Sequence, residues 1–339
     1  MTEHDRPLVT IALFAYNQER FIREAVEGVL GQDYEPLEII LSDDCSADET
    51  FAIIKNMVKE YAGSNKVILN RNENNLGICP HVSKIMSIAS GDLIIVASGD
   101  DISLPGRTST LVESWLSSNR EPDLLCSDYF LINESGAMLR VGKGCKLENM
   151  TPVRIAEHGF SVLGATAAWT KSLWLRFPEI PAPVVHEDQI MSFRAAMAGG
   201  IKYIEMPLVR YRYEVSTWIA RGRTMDPSEM QARTAKISYN QMLVSIVQLT
   251  DAVCGKRLDL LPLINSRFNM HRMVFMIYGG QLNFASAVLQ SIRHGTVEKR
   301  LLKALVQAYF PWLHGYMLRA RNKFAHIGKR MKPQEMNER

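Results

Sequence analysis

Adjacent aspartates occur at Asp43-Asp44 and Asp100-Asp101, each time one or two small residues after an apolar run. Neighbouring carboxylates supply the oxygen ligands that Mg²⁺ and Mn²⁺ prefer, and a cation held by them can bridge a diphosphate and stabilise the charge that develops on it. The small residues of Ser98-Gly99 leave room for a bulky anionic ligand beside the second pair. Aspartate pairs also occur in turns and at helix starts. The second pair therefore predicts a site for Mn²⁺ or Mg²⁺, with an ordinary turn as the alternative.

Asp44 is suited to a different task. A carboxylate at the end of a strand can accept hydrogen bonds from the N–H of a base or from ribose hydroxyls. We therefore predict that Asp44 contacts a nucleoside. Ser46 or Asp48 would cap the helix that begins near Glu49, and this capping role is compatible with a functional Asp44.

The elements that must position these residues follow an alternating pattern. Apolar runs alternate with helical patterns over the first hundred residues, which predicts a mostly parallel sheet with helices on both faces. The predicted strands are Leu8–Ala15, Leu37–Leu41, Val67–Leu69 and Leu93–Ala97, and the predicted helices are Phe21–Leu30, Thr50–Tyr61 and Val82–Ala89. Polar residues follow three of these strands. Because such sheets bind ligands beyond the carboxyl ends of their strands, we expect these polar loops to meet on one edge.

The rest of the chain divides into two parts. Strands are predicted at Leu124–Asn133, Thr166–Thr170, Ile201–Glu205 and Leu208–Tyr213, and a helix at Glu187–Ala198, so the sheet is expected to be mixed at its far edge. Longer helical periodicity follows, at Met230–Val253, Leu258–Tyr278 and Leu282–Ile292. The pattern predicts an α/β catalytic domain over residues 1–223 and a helical region over 224–339.

Composition excludes several classes of protein. The 39 basic and 36 acidic residues leave a net charge of +3, which argues against a dedicated nucleic-acid binder. The 5 cysteines form no C-x-x-C pair, so a disulfide framework or zinc site is not expected and a reducing compartment fits best. No signal peptide or membrane-spanning run is evident. We expect a cytoplasmic protein. Residues 298–332 are rich in basic and aromatic side chains, which predicts either peripheral contact with an anionic membrane or an exposed face of a helical bundle that could also mediate self-association.

A series of motifs closely resembles those of family 2 glycosyltransferases with the GT-A fold, a Rossmann-like fold of nucleotide-diphospho-sugar transferases. The motifs are Val9–Asn17, Gln32-Asp33-Tyr34, Ser42–Asp48, Asn75-Leu76-Gly77, Ala89–Asp92 and Ser98–Asp101. The resemblance covers about residues 7 to 216. It implies inverting transfer of a sugar from a nucleotide-diphosphate donor to a hydroxyl of a glycan or lipid-linked acceptor, in the synthesis of a surface polysaccharide or lipopolysaccharide.

The resemblance also implies roles for individual residues. Asp44 would contact the base, Asp100 and Asp101 would handle ribose and metal, and Asp101 would be the direct metal ligand. The remaining residues of the nucleotide pocket would be Ala15, Tyr16, Asn17 and Glu19.

Residues farther along would form the acceptor side. Inversion requires a base that removes the proton of the attacking hydroxyl. Glu187-Asp188 resembles the Glu-Asp motif of the family, which assigns the base to Asp188 and an acceptor-orienting role to Glu187. The alternative is a pair of acids that matches the dipole of a helix N-terminus. Gly164 would leave room for the incoming sugar, and Trp169 would either stack on a sugar or lie in the core. Glu214 stands where the family commonly has histidine as a further metal ligand. Either Glu214 replaces that histidine, or the metal uses water and phosphate alone.

Two other functions remain open. A sugar nucleotidyltransferase would also handle nucleotide sugars with a metal on an α/β sheet, but it needs a Gly-rich basic loop after the first strand, where this chain has Ala15–Glu19. A catalytically idle scaffold would bind nucleotide sugars without turnover. The joint presence of Asp44, Asp100, Asp101 and Asp188 argues against the scaffold.

Overall fold

The computed structural model describes residues 6–213, 227–282, 284–293 and 304–305. Its strands are β1 (Val9–Ala15), β2 (Leu37–Asp43), β3 (Lys66–Arg71), β4 (Leu93–Ser98), β5 (Ile102–Ser103), β6 (Leu124–Ile132), β7 (Met138–Gly142), β8 (Ala168–Thr170) and β9 (Ile201–Arg212). Its α-helices are α1 (Ile22–Leu30), α2 (Thr50–Glu60), α3 (Ile78–Ile88), α4 (Arg107–Ser117), α5 (Pro152–His158), α6 (Lys171–Arg176), α7 (Glu187–Met197), α8 (Pro227–Cys254), α9 (Leu261–Tyr278) and α10 (Phe284–Arg293).

The strands form one mixed sheet in the order β3-β2-β1-β4-β8-β6-β9-β5, with β7 paired to β6. The strands from β3 to β4 run parallel, whereas β8 is antiparallel to both of its neighbours, β4 and β6. The predicted parallel core with a mixed far edge is therefore confirmed. Parallel pairing brings the carboxyl ends of β1, β2 and β4 to one edge.

Helices cover both faces of the parallel core. In β1, Ile11 and Leu13 pack into one buried cluster with residues of α1, whereas Ala12 packs into the other with residues of α3. Successive side chains of a strand point to opposite faces. An apolar run without polar interruption is therefore what a strand buried on both faces requires.

The structure differs from the predicted elements in the second half of the sheet. The two strands predicted at Ile201–Glu205 and Leu208–Tyr213 are the single strand β9. Its pairing with β6 shifts register on both sides of Asp128, which pairs with Pro207. The proline has no N–H group and cannot donate a hydrogen bond to the neighbouring strand. The register shift accommodates this proline, so that β9 continues as one strand where the sequence pattern predicts two.

The chain divides into two compact units. The first comprises residues 1–225 and 240–267, and the second comprises residues 226–239 and 268–339. In the second unit, Met270, Met273, Val274 and Ile277 of α9 form a buried cluster with Ala287 of α10. The predicted boundary between 223 and 224 stays a prediction.

Within the described ranges, none of the helices combines the length and the apolar character that a bilayer span requires. The basic stretch over 298–332, for which membrane contact was predicted, lies outside the described residues apart from 304–305.

Candidate active site

A cavity of about 440 Å³ opens where β1, β2 and β4 end. Five of the predicted site residues line this single cavity: Ala15, Tyr16, Asp44, Asp100 and Glu187. The first four belong to the predicted nucleotide and metal side, and Glu187 belongs to the predicted acceptor side. The fold thus brings together acidic residues that lie more than a hundred positions apart in the chain.

Asn17 and Glu19 join two loops and do not line the cavity. The side-chain oxygen of Asn17 accepts the N–H of Ala47 at 2.9 Å, and a carboxylate oxygen of Glu19 accepts the N–H of Glu49 at 3.0 Å. Asn17 has a φ of 51°, a left-handed conformation that asparagine tolerates. These bonds fix the loop that carries Tyr16, and a direct role of Asn17 and Glu19 in nucleotide binding stays a prediction.

Asp44 is buried and orders the loop before α3. Its Oδ1 accepts the N–H of Leu76 at 2.9 Å, and its Oδ2 accepts the N–H of Gly77 at 2.9 Å. Gly77 has a φ of 79°, which favours glycine at this position. Asp43 instead binds the backbone and hydroxyl of Ser46. Of the two expected capping residues, Asp48 accepts the N–H of Thr50 at the start of α2.

Asp100 and Asp101 stand in different surroundings. Asp100 lines the cavity. Asp101 is 5% exposed, and its Oδ1 accepts the backbone N–H of Arg212 at 2.8 Å. Burial raises the pKa of Asp100, and burial together with the charge of Asp100 raises the pKa of Asp101 well above its usual range. Both charged forms are therefore disfavoured by their surroundings, although the buried guanidinium of Arg107 partly offsets this for Asp101.

This pair fits a divalent cation. A cation beside the two carboxylates would stabilise the charged forms that burial opposes. The part of the chain that the structure describes contains no group of three or more His, Cys, Asp or Glu residues arranged to hold a metal ion. Water or phosphate oxygens would then complete the coordination, as is common for Mg²⁺. Glu214, considered as a further ligand, lies outside the described residues.

The acid pair Glu187-Asp188 opens α7 as predicted. Burial, together with the charge of Asp188, raises the pKa of Glu187 to about 8. Burial also raises the pKa of Asp188, and His186 opposes this shift. A carboxylate oxygen of Asp188 accepts the N–H of Gln189 at 2.8 Å. Gly164 lies beside the pair, since a Cβ built on it would stand 3.5 Å from the Cβ of Asp188 and 3.6 Å from Oε1 of Glu187.

Trp169 lies in the hydrophobic core. Only 1% of its surface is exposed, and it packs in the buried cluster that contains Val96 and Met191. Of the two alternatives open for Trp169, the structure shows the core position. A surface that is closed to solvent cannot stack on a sugar, so Trp169 has no part in the site proposed below.

Sequence reasoning missed several cavity residues. Phe14, Gln18, His81 and Val96 also line the cavity. The helix was predicted to begin only at Val82, whereas α3 begins at Ile78, so His81 lies one turn into it, four residues beyond Gly77 of the Asn75-Leu76-Gly77 motif. That spacing could have identified it as a site residue.

Comparison with known proteins agrees with this geometry. Residues 10–128 match the sequence model of the family described as "Glycosyl transferase family 2". An uncharacterized glycosyltransferase of Methanocaldococcus jannaschii is 31% identical over 140 residues, which are 41% of this chain and 47% of that protein. A GalNAc(5)-diNAcBac-PP-undecaprenol beta-1,3-glucosyltransferase of Campylobacter jejuni is 30% identical over 107 residues, which are 32% of this chain and 34% of that protein. The matched part thus spans less than half of either relative.

Two solved structures share the fold. Residues 1–349 of TarS from S. aureus, in complex with UDP-GlcNAc, superpose with a TM-score of 0.51 at 17% identity, covering 88% of this chain and 81% of that one. The mannosyltransferase PcManGT from Pyrobaculum calidifontis, in complex with GDP-Man and Mn²⁺, gives a TM-score of 0.50 at 16% identity, covering 90% and 88%. At such identities the likeness is evidence of fold alone, and it confirms the predicted GT-A architecture.

Proposed function

We propose that this protein transfers a sugar, with inversion, from a nucleotide-diphosphate sugar to a hydroxyl group of an acceptor, because residues 10–128 match the sequence model of glycosyl transferase family 2. One observation carries the proposal. A single cavity is lined both by Tyr16, Asp44 and Asp100 and by Glu187 at the start of α7. Donor-side and acceptor-side groups must face one space if a hydroxyl is to attack a sugar in place.

The donor would lie along the ends of the parallel strands. Asp44 would accept a hydrogen bond from the base, Asp100 would contact the ribose, and Asp101 with Asp100 would hold Mn²⁺ or Mg²⁺. The metal, when bound, supplies Lewis-acid stabilisation of the diphosphate leaving group. The complex of PcManGT with GDP-Man and Mn²⁺ supports metal use in this fold.

Asp188 would act as the base. In its ionised form it takes the proton of the acceptor hydroxyl as the oxygen bonds to the anomeric carbon, while the bond from that carbon to the diphosphate breaks. Burial raises the pKa of Asp188, and a base whose pKa lies closer to the operating pH accepts a proton more readily. Glu187 would orient the acceptor beside it.

The acceptor class is proposed more broadly as a glycan or a lipid-linked sugar at the cytoplasmic face of a membrane. The undecaprenol-linked substrate in the name of the Campylobacter jejuni relative supports this class. Synthesis of a surface polysaccharide or lipopolysaccharide is the corresponding pathway type, and peripheral membrane contact would bring the enzyme to such an acceptor.

Turnover of the donor tests the proposal. With Mn²⁺ present, we expect slow hydrolysis of one among the UDP, GDP, CDP and dTDP sugars. Asp188→Asn should lower this rate on the order of a hundredfold or more, because it removes the base. It should leave the metal-dependent rise in melting temperature with that nucleotide in place.

The control is Glu179→Gln, which changes an exposed carboxylate outside the cavity and should keep full turnover. Binding without any turnover in the unsubstituted protein would favour a scaffold. Release of pyrophosphate from a sugar phosphate and a nucleoside triphosphate would favour a nucleotidyltransferase.

A further inference from the structure

His81 is a buried polar residue of the cavity to which the proposed function gives no role. It lies in the first turns of α3, is 4% exposed and lines the cavity. Its ring meets Phe14 edge-on, with the ring centroids 5.1 Å apart. Burying a polar ring beside a cavity is costly unless its nitrogens find partners. The partners of each nitrogen therefore indicate what the ring can bind.

The hydrogen bonds that lead to His81 begin at Asn72. Lys84 Nζ donates to Oδ1 of Asn72 at 2.8 Å, and Nδ2 of Asn72 donates to Oδ1 of Asp44 at 2.7 Å. An ammonium group can only donate, and an ionised carboxylate can only accept. The orientation of the Asn72 amide is therefore fixed from both ends.

Asn70 and Ser42 connect Asn72 to the ring of His81. Nδ2 of Asn70 donates to Oδ1 of Asn72 at 3.1 Å and to Oγ of Ser42 at 2.9 Å. Ser42 is fully buried, and its Oγ lies 2.5 Å from Nε2 of His81. Within the described part of the chain, this nitrogen is the acceptor available to the hydroxyl hydrogen. Ser42 therefore donates to Nε2.

The chain of bonds thus determines the tautomer. If Nε2 accepts, the ring proton of a neutral imidazole must lie on Nδ1. Burial lowers the pKa of His81, which favours the neutral ring, and Asp44 is the charged group that most strongly opposes this shift. No protein partner of Nδ1 is found among the described residues, so this N–H remains for a ligand in the cavity.

We propose that His81 Nδ1–H donates a hydrogen bond to an acceptor atom of the nucleobase of the donor, and that His81 with Asp44 forms the base-reading pair of this chain. Asp44 and His81 line the same cavity, and the amides of Asn72 and Asn70 join the carboxylate of Asp44 to Ser42 through hydrogen bonds. A base that meets Asp44 in this cavity can therefore also meet the ring that Ser42 holds. The carboxylate of Asp44 accepts a hydrogen bond and Nδ1–H of His81 donates one. Together they match the edge of a base that carries a donor and an acceptor side by side. The inference rests on the proposed function.

The experiment measures dissociation constants of UDP, GDP, CDP, dTDP and the corresponding nucleotide sugars by calorimetry, with Mn²⁺, on the full chain. In His81→Phe, which keeps a ring against Phe14, the nucleotide that binds best should bind about five- to tenfold more weakly, the loss expected for one hydrogen bond. The loss should be equal for the nucleotide and its sugar, because both carry the base. Equal affinities in the two proteins would overturn the inference, and a loss confined to the nucleotide sugar would move the contact to the sugar and overturn the base assignment.

A second measurement does not depend on the folding of that variant. In ¹⁵N-histidine spectra of the unsubstituted protein at neutral pH, the ring whose signals move in Ser42→Ala should carry its proton on Nδ1. A proton on Nε2 would overturn the inference. Failure of the unsubstituted protein to bind any nucleotide would instead overturn the proposed function together with this inference, so the two failures are distinguishable.

Discussion

At the scale of single residues, the protonation of Glu187, which lines the cavity, should make the stability of the protein depend on pH. Burial and the neighbouring Asp188 raise its pKa to about 8. Between about pH 4.5, the pKa of the group in an unfolded chain, and about pH 8, the folded protein holds a proton that the unfolded chain has already released. The contribution of protonated Glu187 to the free energy of unfolding is therefore fully present below the pKa of the unfolded chain, and it is lost as the pH rises through about 8.

The variant Glu187→Gln tests this linkage, because glutamine resembles the protonated acid at every pH. We expect the free energy of unfolding in urea to be similar for the two proteins at about pH 5. At about pH 9 the variant should be more stable by about 1–3 kcal/mol. A constant difference across this range would mean that the carboxyl group titrates normally. Glu179→Gln, at an exposed position, is the control.

Asp101 offers a second test at this scale. Asp101→Asn keeps a side-chain oxygen for the N–H of Arg212 but removes the charge that a cation requires. We expect the Mn²⁺-dependent part of the thermal shift with nucleotide to disappear. The melting temperature without ligand should stay level or rise, because burial opposes the charged form of Asp101. Metal-dependent binding that survives the substitution would show that the cation is held elsewhere.

At the scale of elements, the turn before β4 is packed against the start of β1. A Cβ built on Gly91 would lie 2.4 Å from the backbone nitrogen of Thr10. Because backbone atoms cannot swing away as a flexible side chain does, Gly91→Ala should reduce the free energy of unfolding by about 1–3 kcal/mol.

The matched control is Gly106→Ala at the start of α4, where a Cβ would meet nothing closer than 3.8 Å, so that only the weaker capping by alanine should cost about 0.5 kcal/mol. Urea denaturation of both variants measures the difference. Equal effects would show that the turn before β4 shifts freely.

Elements were predicted best from the sequence where the residue types of the element itself show that it is buried. The runs that became β1, β2 and β4 are apolar because helices cover both of their faces, so their positions and the polar loops after them could be predicted. α4 was not predicted, because Arg107 and Thr108 are among its buried residues and interrupt the apolar stripe. Arg107 is buried because it donates to the carbonyl oxygens of Val96 and Ala165, and such distant partners leave no local pattern.

The candidate site could likewise be predicted only in part. Asp44, Asp100 and Glu187 reach one cavity because they follow strands or open a helix at the edge where ligands bind. The position of Asn17 between two loops depends on hydrogen bonds with Ser46 and Ala47. The burial of Trp169 depends on strands and helices far along the chain. Neither can be read from local spacing.

At the scale of the whole molecule, a buried ion pair extends the first compact unit beyond residue 223. Arg194 of α7 donates from Nε to Asp251 of α8 at 2.8 Å, and neither side chain is more than 1% exposed. Removing one partner of such a pair leaves an uncompensated buried charge and costs about 3–5 kcal/mol. A chain that ends at residue 223 should therefore lose much of its stability.

Truncation measures this effect directly. A chain of residues 1–223 should unfold at a lower urea concentration and with a broader transition than the full chain. A chain of residues 1–282, which keeps Asp251 and all of α9, should stay close to the full chain. Asp251→Ala in the full chain should reproduce the larger part of the loss. Cooperative unfolding of 1–223 at the urea concentration of the full chain would instead place an independent domain boundary there.

The antiparallel strand β8 also has a consequence for synthesis on the ribosome. One edge of β4 stays unpaired until residues 168–170 arrive, although Leu93, Ile94 and Ile95 on that edge end up fully buried. About 70 residues separate the end of β4 from the start of β8, and translation at roughly 5–20 residues per second leaves the edge open for several seconds. During that interval the nascent chain presents an apolar strand edge able to pair with another chain, so its yield in cells should depend on chaperones that act before synthesis is complete.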